Sequence, residues 1–157
     1  MLYQIEVKRL LAEHLIGQGY EVCLHVDPME ICRGGVHPPG KEEKAKECIA
    51  WFERNGVRCE KDRDYGKADL VARHRRRGTL VVEVEGTASK PKSQALYSAL
   101  GQLLLRKHGG YPEATYGLAV PNDLGWKKQL GRIPLALCTK ERLSLYLVDS
   151  KSVDLYE

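Results

Sequence analysis

GKADLVARHRRRGTLVVEVEG, residues Gly66 to Gly86, is the stretch on which the fold turns. Alternation and β-branched content predict two strands, Lys67 to Arg73 and Thr79 to Glu85, joined by the basic turn RHRRRG. Three carboxylates stand where a central strand should be apolar. Asp69 opens the first strand, and Glu83 and Glu85 sit near the end of the second. Residues two apart on a strand point the same way, so Glu83 and Glu85 share one side of the sheet and Val82 and Val84 the other. An isolated ionised carboxylate in a buried strand is costly, and each needs a cation, a donor or water. Two readings stay open. Either Asp69, Glu83 and Glu85 form an oxygen-rich cluster suited to Mg²⁺ or Mn²⁺, or the second strand is a solvent-facing edge whose carboxylates pair with Lys67 or Arg73.

Outward from this hairpin, apolar spacing predicts helices over Tyr3 to Gly17, Lys41 to Asn55 and Pro91 to His108, with a weaker one near Trp126 to Leu130. Tyr20 to Val26 alternates as a strand, and Val57 to Glu60 starts another. Two apolar runs, Thr115 to Pro121 and Ile133 to Thr139, precede a last strand, Leu143 to Asp149. DPMEICRGGVHPPG, between the Tyr20 to Val26 strand and the Lys41 to Asn55 helix, is loop by its Pro and Gly content. The order of helices and strands predicts an α/β protein, a mixed sheet with helices on its faces.

The chain has 157 residues, 43% of them apolar and 29% charged, which suits one globular domain. It has no apolar run of membrane-spanning length, and its amphipathic N-terminus is unlike a signal peptide. Five cysteines without a Cys-x-x-Cys pair predict reduced thiols and a cytoplasmic setting. A formal charge of +4 permits a polyanionic partner without requiring one. Nucleotide-hydrolase and serine-hydrolase signatures are absent.

The Asp69, Glu83-Val84-Glu85 and SQALYSALGQLLLR segments together resemble the PD-(D/E)xK nuclease superfamily, with its restriction-endonuclease-like fold. The likeness covers roughly residues 41 to 121, leaving 1–40 as an N-terminal helix, strand and loop extension of a single domain over 1–157. Two positions depart from the pattern: Ala68 replaces the Pro before the Asp, and Glu85 replaces the Lys. The resemblance implies Mg²⁺- or Mn²⁺-dependent hydrolysis of phosphodiester bonds, in DNA more than RNA, and a possible homodimer. By it Asp69 and Glu83 hold the metal with the Val84 carbonyl nearby. Glu85 is a second-metal ligand or positions the attacking water, and Gln94 steadies the site or touches the substrate backbone. Lys67, Lys90 or Lys92 could supply the missing lysine. Glu6, Glu43 and Glu47 are candidates for the family's helix acid. The alternative is a nuclease-fold module that binds nucleic acid or a partner protein without cutting.

Three features stand apart from that pattern. Gln94, Ser98 and Gln102 form a polar line at four-residue steps beside a leucine stripe, while Tyr97 is expected in the core. RHRRRG suits phosphate contact or a solvated hairpin tip. Cys23, His25, Cys32 and His37 are zinc-capable, in no familiar module, and would otherwise belong to a zinc-stabilised regulatory module.

Overall fold

The computed structural model describes residues 1–87 and 91–157; Lys90 lies outside them. Among these residues five helices are formed: α1 (Gln4–Gly17), α2 (Lys41–Arg54), α3 (Lys92–His108), α4 (Leu124–Leu130) and α5 (Leu135–Glu141). Among the described residues there are seven strands: β1 (Glu21–Leu24), β2 (Arg58–Cys59), β3 (Leu70–His74), β4 (Gly78–Val84), β5 (Thr115–Pro121), β6 (Leu143–Val148) and β7 (Val153–Leu155). They make one mixed sheet in the order β2-β1-β3-β4-β5-β6-β7. The chain is therefore mixed α/β, with helices on both faces of the sheet. No helix among the described residues is long and apolar enough to cross a membrane.

The period-2 pattern divides the core. Leu70, Ala72, Val82 and Val84 face one side, where they pack with Ile5, Leu11 and Leu15 of α1 and Phe52 of α2. Val71, Val81 and Leu118 face the other, against Leu96, Ala99 and Leu103 of α3 and Trp126 of α4. β3 and β4 form the expected antiparallel hairpin, while β4, β5 and β6 run parallel. Parallel neighbours need crossover connections, which α3 and the α4–α5 pair supply.

Several expectations change. β4 is the middle strand of seven, so Glu83 is not on a solvent-facing edge. Arg73 is not its partner either: Arg73 forks onto both oxygens of buried Asp62, at 2.8 and 3.0 Å, and reaches Asp64. Burial raises the Asp62 pKa, but Arg73 and the Asp64 and Tyr65 amides outweigh it, bringing it down to about 2. The Ile133 to Thr139 run is not a strand. β6 already pairs with β5 along Tyr116 to Pro121, so no lane is left, and the run becomes α5 behind Pro134. β6 is not the last strand, because an Asp149 turn brings β7 back onto it. Tyr97 is 55% exposed, under the Arg132 guanidinium, because α3 buries the narrower stripe of Ala95, Leu96, Ala99 and Leu103.

Candidate functional site

The β3–β4 register sets the site. Leu70 pairs with Val82, so the next residues outward, Asp69 and Glu83, face each other across the two central strands. Glu83 is 4% exposed on the α3 side of the sheet. Asp69 turns back on the strand end, where its Oδ2 accepts from the Val84 amide at 2.9 Å.

α1 reaches this point from the opposite face. Gln4 Nε2 donates to the Val84 carbonyl at 2.9 Å and lies 3.5 Å from Asp69 Oδ1. One turn on, the fully buried Lys8 Nζ meets three acceptors: the His25 carbonyl at 2.6 Å, Glu30 Oε2 at 2.8 Å and Asp69 Oδ1 at 3.4 Å. An ammonium has three protons, so Lys8 is fully engaged. Burial alone would lower its pKa, yet Asp69 and Glu30 raise it overall. Burial pushes the Glu30 pKa up, opposed in part by Lys8. Glu30 also accepts from the Asp27 amide, while its Oε1 is buried and has no partner among the described residues.

Glu83 is held on its other side by α3, where Arg106 donates to its Oε1. Burial, then the Asp69 charge, push the Glu83 pKa up to about 9 against the pull of Arg106. Without a bound cation, burial and the Asp69 charge thus favour the protonated form of Glu83, and Arg106 favours the ionised one.

A cleft of about 600 Å³ opens over these groups. Asp69, Glu83 and Glu85 all line it, with Gln4, Glu30, His25 and Asp27. Gln94 is exposed and is not among the lining residues. The same polar line delivers Ser98 and Gln102 to the cleft instead, and its next step is Arg106. Of the lysines considered for the missing role, Lys67 lines the cleft and Lys92 does not. The helix acids fall elsewhere. Glu6 Oε2 accepts from the Tyr3 amide and caps α1. Glu43 and Glu47 are exposed on α2, outside the cleft. The basic tip Arg75 to Arg77 lies at the far end of β3 and β4 from the carboxylates.

Sequence reasoning missed Gln4, Lys8, Glu30 and Arg106. Lys8 carried a legible signal, a lysine on the apolar stripe between Ile5 and Leu11. A lysine there must be paired if it is buried. Arg106 was one further step along the Gln94–Gln102 line. Glu30 sits in an irregular loop and left no periodic mark.

Among the described residues, no three His, Cys, Asp or Glu side chains converge as a ready metal cage. Cys23 donates to the Glu60 carbonyl, while His25 lines the cleft. Two facing carboxylates do fit Mg²⁺, which takes one or two protein carboxylates and keeps several waters. The Val84 carbonyl, expected near a metal, is taken by Gln4.

No protein-family model and no curated protein matches the chain. Among solved structures, it is similar to the crystal structure of an XisH family protein from Nostoc punctiforme. The TM-score is 0.45 at 19% sequence identity, over 98% of this chain and 94% of that one.

Proposed function

We propose that the chain is a metal-dependent nuclease of the PD-(D/E)xK kind, hydrolysing phosphodiester bonds in DNA, with Asp69 and Glu83 as the ligands of Mg²⁺ or Mn²⁺. The observation that carries it is the facing of Asp69 and Glu83 across the two central strands, at the base of an open cleft. Two like carboxylates forced together in a buried place are unfavourable unless a proton or a cation lies between them. A bound divalent cation would supply hydroxide near neutral pH and offset charge on the scissile phosphate.

The chain's own residues set the geometry. Lys8 and the Val84 amide fix Asp69 from two sides. Lys8 has no proton to spare for a reacting water, so it acts as a positioning residue. Glu85, two residues beyond Glu83 in the same cleft, is the acceptor for the attacking water. Gln102 and Ser98 offer an amide and a hydroxyl to the substrate backbone, the part first expected of Gln94.

The test is cleavage of labelled single- and double-stranded DNA with Mg²⁺ or Mn²⁺ by the native chain, Asp69→Ala and Glu83→Ala. The expected result is metal-dependent cutting that falls by about a hundred- to a thousandfold in both variants, the scale seen when one group stabilising developing negative charge is removed. Cutting that persists in either variant would contradict the assignment.

One observation favours a second reading. Arg106 already sits on Glu83, and a guanidinium there neutralises the carboxylate much as a metal would. Under this reading the chain is a nuclease-fold module that binds nucleic acid or a partner protein and does not cut. It predicts that the native chain leaves every substrate intact with either metal.

A further inference from the structure

The cleft lining is acidic. Asp27, Glu30, Asp69, Glu83 and Glu85 all line it, so these groups repel a polyanion, and attraction must come from the basic residues beside them. The lysines among the lining residues are Lys41, at the first turn of α2, and Lys67, two residues before Asp69. Among the described residues no carboxylate forms an ion pair with either. Lys41 Nζ spends one proton on the Met29 carbonyl at 3.1 Å and has two left. It also lies 5.7 Å from the centroid of the Tyr3 ring, with Lys44 at 5.6 Å from the same ring. Tyr3 itself lines the cleft. The acidic residues of the first turn of α2, Glu42 and Glu43, are exposed and outside the cleft.

The arginine-rich hairpin tip is the obvious rival and is badly placed. Glu83 lies six positions along β4 from Arg77 at the tip, about 20 Å at about 3.3 Å per residue. Part of the run is also committed to the fold. Arg73 is spent on Asp62 and Asp64, and His74 Nδ1 accepts from the Arg76 and Arg77 amides at 3.0 and 3.2 Å, which fixes the turn.

We propose that Lys41, beside Tyr3, and Lys67, before Asp69, hold the phosphates of the nucleic-acid strand that enters the cleft, and that the hairpin arginines do not. The proposal rests on the nuclease reading and names where its substrate is gripped. Each phosphate contact releases about one counterion. Losing two should lower the slope of log affinity against log salt by about two, and reduce affinity at moderate salt about ten- to a hundredfold.

The experiment measures binding of labelled double-stranded DNA across a salt series. Ca²⁺, another oxygen-seeking cation, replaces Mg²⁺, and the DNA is checked to be intact afterwards. Native chain, Lys41→Gln/Lys67→Gln and Arg75→Gln/Arg76→Gln/Arg77→Gln are compared; all five side chains reach solvent, so the fold is retained. The expected result is the stated loss in the lysine variant and native-like binding in the arginine variant. Native-like binding in the lysine variant overturns the proposal, and so does a larger loss in the arginine variant. If native chain cuts DNA in Mg²⁺ while the lysine pair leaves affinity unmoved, the nuclease reading survives and only the grip is wrong. A native chain that neither binds nor cuts overturns both.

Discussion

Lys8→Met is expected to destabilise the folded chain by about 3–5 kcal/mol, the cost of removing one partner from a buried ion pair. The methionine fills the space of the lysine stem, so packing is largely kept and the loss is electrostatic. Glu30 and Asp69 would then be left as neighbouring carboxylates without the ammonium between them. The His25 carbonyl would lose its donor as well. Urea unfolding followed by two probes measures the effect as a fall in midpoint at unchanged slope. Adding Glu30→Gln should restore at least half of the loss, because it removes the more deeply buried of the stranded charges. A loss below about 1 kcal/mol in the single variant, the size of a solvent-exposed pair, would mean that Lys8 is not buried as described.

Gly86→Ala is expected to damage the site and the fold together. A Cβ at Gly86 would stand 2.3 Å from the Gln4 amide nitrogen and 2.8 Å from the Tyr3 carbonyl carbon. Both are backbone atoms and cannot swing aside. Retreat the other way is also blocked, since the Gly86 carbonyl accepts from the indole of fully buried Trp126 at 3.2 Å. The start of α1 must therefore move, carrying Gln4 away from the Val84 carbonyl and loosening Lys8 on Asp69. Overpacking of this kind costs about 1–3 kcal/mol. A displacement of about 1 Å at the reacting groups costs about a hundredfold in rate. Both are read on one preparation, by urea unfolding and by DNA cleavage in Mg²⁺. Gly86→Ala with native stability and native cutting would contradict the close approach of α1.

What could be read from the chain follows the range of each interaction. β5 forms over Thr115 to Pro121 as its apolar run predicts, and the Asp69–Glu83 hairpin forms because alternation and a basic turn fix its register locally. α5 was missed because a short apolar run suits a strand or a helix equally, and only the occupied edge of β5 decides. The site was half legible. Asp69, Glu83 and Glu85 lie within one hairpin, so strand parity brings them to one cleft. Lys8, Glu30 and Arg106 come from α1, a loop and α3, and which of them reaches the hairpin depends on how those elements pack. The resemblance pointed to a lysine near the second strand. The buried lysine beside Asp69 instead arrives from the N-terminal helix, sixty-one positions earlier in the sequence.

The central claim is that carboxylates stand on the middle strand because Asp69 and Glu83 form a cation site. Its most direct test is a calorimetric titration of native chain with Mn²⁺, repeated with Asp69→Asn and Glu83→Gln, each close to isosteric and without the charge. The expected result is stoichiometric Mn²⁺ binding to the native chain, competed by Mg²⁺ and lost in both variants. A native chain that takes up no Mn²⁺, or variants that bind it as tightly as the native chain, would contradict the claim and leave Arg106 as the only cation that Glu83 needs.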